Sequence, residues 1–122
     1  MQRTFTQKIA SYVNTELIKA KHANSLGDFQ LEFAHLERAH VLGQESTFWH
    51  VKVHLLMLAW ALRNTSASEI TGQIVRILGA LAVTPLGLVP LGNTGGANVS
   101  PFKKMAIDPE LAALIKKAKS GK

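Results

Sequence analysis

The sequence predicts an all-α fold: a four-helix, hairpin-type bundle, then a glycine-rich irregular loop and a short C-terminal helix. Apolar residues recur at helical spacing in successive segments, capping residues precede these segments, and glycine, asparagine or proline separates them. The predicted helices span about residues 5–24, 28–42, 47–62, 68–83 and 108–119, with the loop at 84–107. We expect one domain over residues 1–122.

The helix boundaries rest on local signals. Asp28 is placed to cap the second helix, which Gly43 ends. Ser66 or Ser68 can cap the fourth helix, and Asp108 precedes the first-turn proline of the last one. The first helix carries an apolar stripe, and three apolar residues should dock the last helix. The stripe is Phe5, Ile9, Tyr12, Val13, Leu17 and Ala20, and the docking residues are Leu111, Leu114 and Ile115.

The composition is that of a globular protein, with 47% hydrophobic and 18% charged residues. The chain contains no cysteine, which excludes disulfides, thiolate metal sites and cysteine nucleophiles. Any metal must therefore be held by His, Glu, Asp, Asn or Met. The N-terminal residues carry charges and no long apolar run, so we expect a cytoplasmic protein.

Two features could suggest other partners. The net charge is +6, but most of the excess lies after residue 101, where no aromatic residues are interleaved with the lysines. A solvated helix face is therefore expected rather than nucleic-acid binding. The apolar stretch 70–92 contains Pro85 and Pro90, which should break a spanning helix, so no membrane span is expected.

Several helices direct polar side chains toward the predicted core. His40 lies in the middle of the apolar face of the second helix, with Glu37 at its edge. His50 and His54 are four residues apart and share a face of the third helix, so both imidazoles can chelate one ion. Glu16 interrupts the apolar stripe of the first helix, and a buried acid needs a partner.

These residues form a candidate metal site. We hypothesise that Glu37, His40, His50 and His54 bind one divalent transition metal (zinc, nickel, copper or iron), with Glu16 as a further ligand or as a hydrogen-bond acceptor for one of the ligands. The spacing from Glu37 to His40 matches carboxylate-bridged bundles, but a second pair of this kind is missing, which favours a mononuclear site. The alternative is that these are core histidines satisfied by hydrogen bonds.

The glycine-rich segment 92–100 is the remaining candidate. It lacks the Gly-Lys-Ser/Thr ending of a P-loop, so we interpret it as a strap over the bundle whose Asn93 and Asn98 bond their own backbone. No Ser-His-Asp or paired-carboxylate arrangement stands out. We therefore do not expect an enzyme.

The first two helices resemble a tetratricopeptide hairpin at Gly27-Asp28-Phe29 and at Leu36-Glu37-Arg38-Ala39. A second unit one period later lacks the signature residues, so a single hairpin is predicted and no array. The resemblance supplies the alternative function: a protein-protein interaction module with structural core histidines. It implies a protein partner and leaves the oligomeric state open.

Three longer strings resemble a bacterial family of small uncharacterised proteins known as a domain of unknown function. They are HLERAHVLGQ at 35–44, HVKVHLLML at 50–58 and VPLGNTGGANVSPFKKM at 89–105, and the last contains GNTGGANVS. The resemblance implies kinship and brings no established activity. The recurring polar positions that it implies are Glu16, His35, Glu37, His40, Gln44, His50, His54, Gln73 and Asn93.

Overall fold

The computed structural model describes residues 3–64 and 66–120. They form helices Phe5–Ser25 (α1), Phe29–Gly43 (α2), Thr47–Arg63 (α3), Ala67–Val83 (α4) and Pro109–Lys119 (α5), with a 3-10 turn at Thr84–Leu86. No strand occurs in this part of the chain, so the all-α prediction is confirmed. Each α-helix begins and ends within one residue of its predicted bounds. The 3-10 turn, which continues α4 into the predicted loop, was not predicted.

The helix starts are set by side-chain caps. The carboxylate of Asp28 accepts a hydrogen bond from the backbone of Leu31, and that of Asp108 accepts one from Glu110. Of the two serines proposed for α4, Ser66 is the cap. Such caps satisfy backbone N–H groups that have no partner within the helix, which is why they mark helix starts in the sequence.

The helices pack in chain order. α1 lies on α2, α2 on α3 and α3 on α4, while α5 lies against α1 and α2. Leu111 is buried in the main core, and Leu114 and Ile115 pack against it, as predicted for the docking face of α5. The tetratricopeptide relationship of the α1–α2 hairpin remains a prediction.

Helix α4 is oriented so that two of its polar side chains face the interior of the protein. Glu69 and Gln73 are buried, whereas Ile74, Leu78 and Leu81 are 49%, 65% and 54% exposed. With the 3-10 turn, the stretch Ala67–Leu86 is long and apolar enough to cross a membrane by length and composition, a test that core helices of soluble proteins also pass. The expected absence of a membrane partner therefore remains a prediction.

Candidate metal centre

Three buried histidines meet where α2 joins α3. His40 lies in the last turn of α2, and His50 and His54 lie one turn apart near the start of α3. Only residues 44–46 separate the two helices, so the chain reverses direction and brings the rings together. Their centroids are 4.6–5.0 Å apart. One ligand atom from each ring lies within 4.8 Å of the other two, and no other such His, Asp or Glu group occurs in the described residues.

The rings of His40 and His54 approach each other through their Nε2 atoms. His40 Nε2 lies 3.0 Å from His54 Nε2. His40 Nδ1 lies 2.7 Å from the backbone carbonyl oxygen of Asn93, which can only accept, so Nδ1 carries the proton. In a neutral imidazole the other nitrogen is then a bare lone pair. His40 therefore presents a lone pair, and no proton, to His54.

The tautomer of His54 is set by Gln73. The Gln73 amide nitrogen donates to Glu69 Oε2 and to the backbone oxygen of Gly95, both at 2.9 Å. These two acceptors fix the orientation of the amide, so its oxygen faces His54 Nδ1 and accepts the proton there. The Nε2 atoms of His40 and His54 are consequently two lone pairs directed at each other.

The third ring, that of His50, is oriented by a residue of the 3-10 turn after α4. His50 Nδ1 lies 2.7 Å from the hydroxyl oxygen of Thr84. A hydroxyl can donate or accept, so this contact orients the ring without selecting its tautomer. All three histidines thus have a hydrogen-bond partner on Nδ1, supplied by three separate elements. The Nε2 atoms of His40 and His54 remain on the side of the cluster.

The cluster holds its imidazoles in the neutral form. Burial, together with the neighbouring histidines, lowers the pKa of His40 well below its ordinary value. Burial and His54 lower the pKa of His50 to about 3. Burial and the charge of Arg76, against the hydrogen bond that His54 donates to Gln73, lower the pKa of His54 to about 4. Neutral imidazole is the form that binds a metal ion, so the rings are ready to coordinate at neutral pH.

The glycine-rich strap completes the surroundings of the triad. The Asn93 side chain accepts from the Gly95 backbone at 2.9 Å and donates to the carbonyls of Ser100 and Lys103, both at 2.8 Å. This agrees with the predicted role of Asn93 in bonding its own backbone. The strap also reaches Glu69, whose Oε1 accepts from the backbone N–H of Ala97 at 2.6 Å.

Gly95 allows the strap to pass directly over His40. Its φ is +89°, and a Cβ placed there would lie 2.6 Å from His40 Cδ2. Real Cβ contacts are not that short, and side chains other than glycine rarely adopt this backbone region. The strap can therefore contact the imidazole only if this position is glycine.

A cavity opens on one side of the triad. Its volume is about 130 Å³, and its inner end is formed by His40, His50 and His54. The other walls are mostly apolar and come from α4 and from the segments on either side of the strap. They include Val75, Ala80, Val83, Leu88, Pro90 and Phe102. Because Phe102 is 85% exposed, the cavity reaches the protein surface at that end.

Two of the five predicted metal residues do not join the triad. Glu37 lies outside the group whose ligand atoms converge, and its carboxylate is hydrogen-bonded to Thr94. Burial and the charge of Glu69, against that hydrogen bond, raise the pKa of Glu37. Glu16 accepts from His35 Nδ1 at 2.8 Å and from Arg38 Nε at 3.1 Å. Its inward position is explained by an ion pair between α1 and α2, so the structure does not bring Glu16 to the site.

We predict that Glu16→Gln destabilises the fold and leaves the triad unaffected. Burial raises the pKa of Glu16, but hydrogen bonds from His35 and Arg38 and the charges of Arg38 and Lys19 outweigh it, so the folded pKa is lowered. Its contribution is therefore full above the ordinary value of 4.5 and is lost as the pH falls through the lowered folded pKa. In urea titrations at pH 7 we expect a loss of about 1–3 kcal/mol.

The control for this variant is the same titration near pH 3, where the difference from the wild-type protein should shrink. Unchanged stability combined with loss of metal binding would contradict this role. That result would instead make Glu16 the ligand hypothesised from sequence.

The partners of the triad were only partly visible in the sequence. Gln73, one of the recurring polar positions implied by the family resemblance, lies one turn after Glu69, and that spacing places both on one side of α4. Thr84 and the carbonyl of Asn93 carried no such signal. A hydroxyl at a helix end and a backbone oxygen in a loop have no sequence pattern that ties them to a histidine about 30 to 50 residues away.

Comparison with known proteins places the chain in a family without assigning an activity. No curated protein and no solved structure gave a significant match. A family model matches residues 7–115, which include the whole triad, Gln73, Thr84 and the strap. The chain therefore belongs to the family described as "Protein of unknown function (DUF3703)".

Proposed function

We propose that this protein binds one divalent transition-metal ion through the Nε2 atoms of His40, His50 and His54. The observation that carries the proposal is the pair of lone pairs directed at each other across 3.0 Å between His40 and His54. Two buried lone pairs in this position repel each other unless a cation lies between them. Protonation of one ring would also remove this repulsion, but burial opposes protonation, as the lowered pKa values of both rings indicate.

The alternative of structural core histidines accounts for the site less well. A histidine kept for packing is expected to satisfy both ring nitrogens with complementary partners. Here each Nδ1 has such a partner, whereas the Nε2 atoms of His40 and His54 face only like groups. Hydrogen bonds that orient Nδ1 and leave Nε2 free are typical of metal-binding histidines.

Spacing and donor type favour certain ions. Bonds of about 2.0–2.1 Å to a tetrahedral zinc place two ligand nitrogens about 3.3 Å apart. The separation of 3.0 Å between His40 and His54 requires only a small rotation of the rings to match it. Imidazole suits zinc, copper, iron and nickel, so we propose an ion from this group. The proposal concerns binding, and no reaction is proposed.

Thermal and chemical unfolding with added metal tests this proposal. An ion that binds the folded chain stabilises it by about 2.7 kcal/mol at a free concentration 100 times the Kd. We expect such a gain with zinc, nickel, copper or iron in the wild-type protein and no gain in His50→Ala. His22→Ala is the matched control, since His22 is exposed on α1 and outside the triad. An equal gain in His50→Ala would show that the ion binds elsewhere.

A second candidate is a protein-protein interaction module, favoured by the outward face of α4. Ile74, Leu78 and Leu81 are 49–65% exposed, so this helix presents apolar side chains to the surroundings. Contiguous apolar surface of this kind is common at protein interfaces. If it binds a second copy or another protein, Leu78→Glu should abolish the association seen by sedimentation and leave metal binding intact. A wild-type chain that sediments as a monomer at all concentrations would exclude self-association through this face.

A further inference from the structure

The cavity beside the triad has the size and lining of a small-molecule site. Its volume of about 130 Å³ is close to that of an engineered apolar cavity of about 150 Å³ that binds benzene. The three histidines occupy its inner end, and Val75, Val83 and Leu88 line the sides. A molecule in this space would touch the imidazoles with one end and apolar side chains with the other.

The histidine ligand set leaves one coordination position to be filled from the cavity. No Asp, Glu or further His among the described residues joins the three ligand atoms. Zinc sites with three protein ligands take a water or a substrate as the fourth ligand. The cavity lies against the same three rings, so an external ligand can reach the ion from this side.

The charges around the cavity favour an anion in that position. Three neutral imidazoles leave the two positive charges of a divalent ion uncompensated, and burying such charge is costly. Arg76 also lines the cavity and adds a positive charge to its wall. Its Nη1 and Nη2 atoms donate to the backbone oxygens of Gly72 and Val99, at 3.1 and 2.6 Å, which hold the guanidinium in place. The nearby acids do not supply the missing ligand, because neither joins the three ligand atoms: Glu69 bonds Gln73 and the backbone of Ala97, and Glu37 bonds Thr94.

We propose, resting on the metal site above, that the cavity binds a small carboxylate with a short apolar chain. The carboxylate completes the coordination of the ion, and the positive charge of Arg76 in the cavity wall attracts the anion. The chain packs against Val75, Val83 and Leu88. Both ends of the ligand are specified by residues that line one cavity.

The test uses the full-length protein loaded with cobalt(II), whose visible spectrum reports its coordination. Acetate, propionate and butyrate are titrated separately, with butyramide as the uncharged match to butyrate. We expect each carboxylate to change the spectrum and each added CH₂ to tighten binding by up to about fourfold. Butyramide should bind at least about tenfold more weakly, because a charged hydrogen-bonding pair contributes more than a neutral one.

A variant separates the role of Arg76 from general charge. Arg76→Gln should weaken butyrate binding about tenfold or more, whereas Lys116→Gln, which removes an equal charge from an exposed position on α5, should not change it. If Arg76→Gln does not fold, the chain-length series on the wild-type protein still tests whether the cavity binds the carboxylate and its apolar chain.

The outcomes distinguish this inference from the metal proposal. Cobalt that binds in stoichiometric amount, with a spectrum that no carboxylate alters, overturns the carboxylate site and leaves the metal site standing. Carboxylates that bind with no dependence on chain length also overturn it, because the apolar wall would then play no part. Failure of the wild-type protein to bind cobalt, zinc, nickel, copper or iron overturns both.

Discussion

Replacing His54 with alanine is expected to weaken metal binding more than about 100-fold. Loss of an outer partner of a metal ligand commonly costs 10–100-fold in affinity, and loss of a ligand itself costs more. His54 Nε2 also carries one of the two lone pairs that face each other, 3.0 Å from His40 Nε2. The variant therefore removes both a ligand and the repulsion that a bound ion relieves. Competition with a chromophoric chelator measures the affinity directly.

The stability of the metal-free His54→Ala protein provides a second readout. The substitution leaves the Gln73 carbonyl without its partner, which costs roughly 1–3 kcal/mol, and removes an unfavourable contact with His40. The net loss should therefore be smaller than that of a well-packed core residue, about 2–5 kcal/mol. His22→Ala serves as the control in both measurements. A variant with wild-type metal affinity and a large loss of stability would identify His54 as a structural core residue instead.

Substitution of Gly95 by alanine is expected to damage both the fold and the site. The backbone at φ +89° disfavours any residue with a Cβ, and left-handed backbone costs about 1–2 kcal/mol for an L-residue. The new methyl group would also meet His40 Cδ2 at 2.6 Å, so either the ring or the strap must move. We expect metal affinity to fall about 10- to 100-fold because the orientation of His40 is lost.

Gly27 provides a matched control for the backbone effect. Its φ is +75°, but nothing lies within 4 Å of a Cβ built there. Gly27→Ala should therefore lose stability to backbone strain and keep full metal affinity. Equal metal affinity in Gly95→Ala and Gly27→Ala would contradict the close contact between the strap and His40.

The sequence predicted the framework of the site better than its immediate surroundings. Helical spacing placed His50 and His54 on one face, and the position of His40 on the apolar face of α2 directed it inward. Both properties are local to a helix, so they can be deduced from the sequence. The convergence of the three rings follows from the short connection at residues 44–46.

Glu16 and Glu37, which the structure does not bring to the triad, depend on relations between separate elements. From the sequence, Glu16 was correctly expected to need a partner. The identity of that partner depends on the rotation of α1 against α2, and this rotation brings Glu16 to His35 and Arg38. Glu37 lies at the edge of its helix face, and Thr94 from the strap bonds it there. Helix periodicity specifies which way a side chain points and does not specify what it meets.

The most direct test of the metal proposal is the metal content of protein purified without a histidine tag. The wild-type chain, incubated with zinc, nickel, copper or iron salts and then desalted, would be compared with a variant carrying His50→Ala and His54→Ala, by elemental analysis. We predict one ion per chain in the wild-type protein and in His22→Ala, and none in the double variant. Wild-type protein that retains none of these metals would contradict the proposal and leave the triad as a structural cluster.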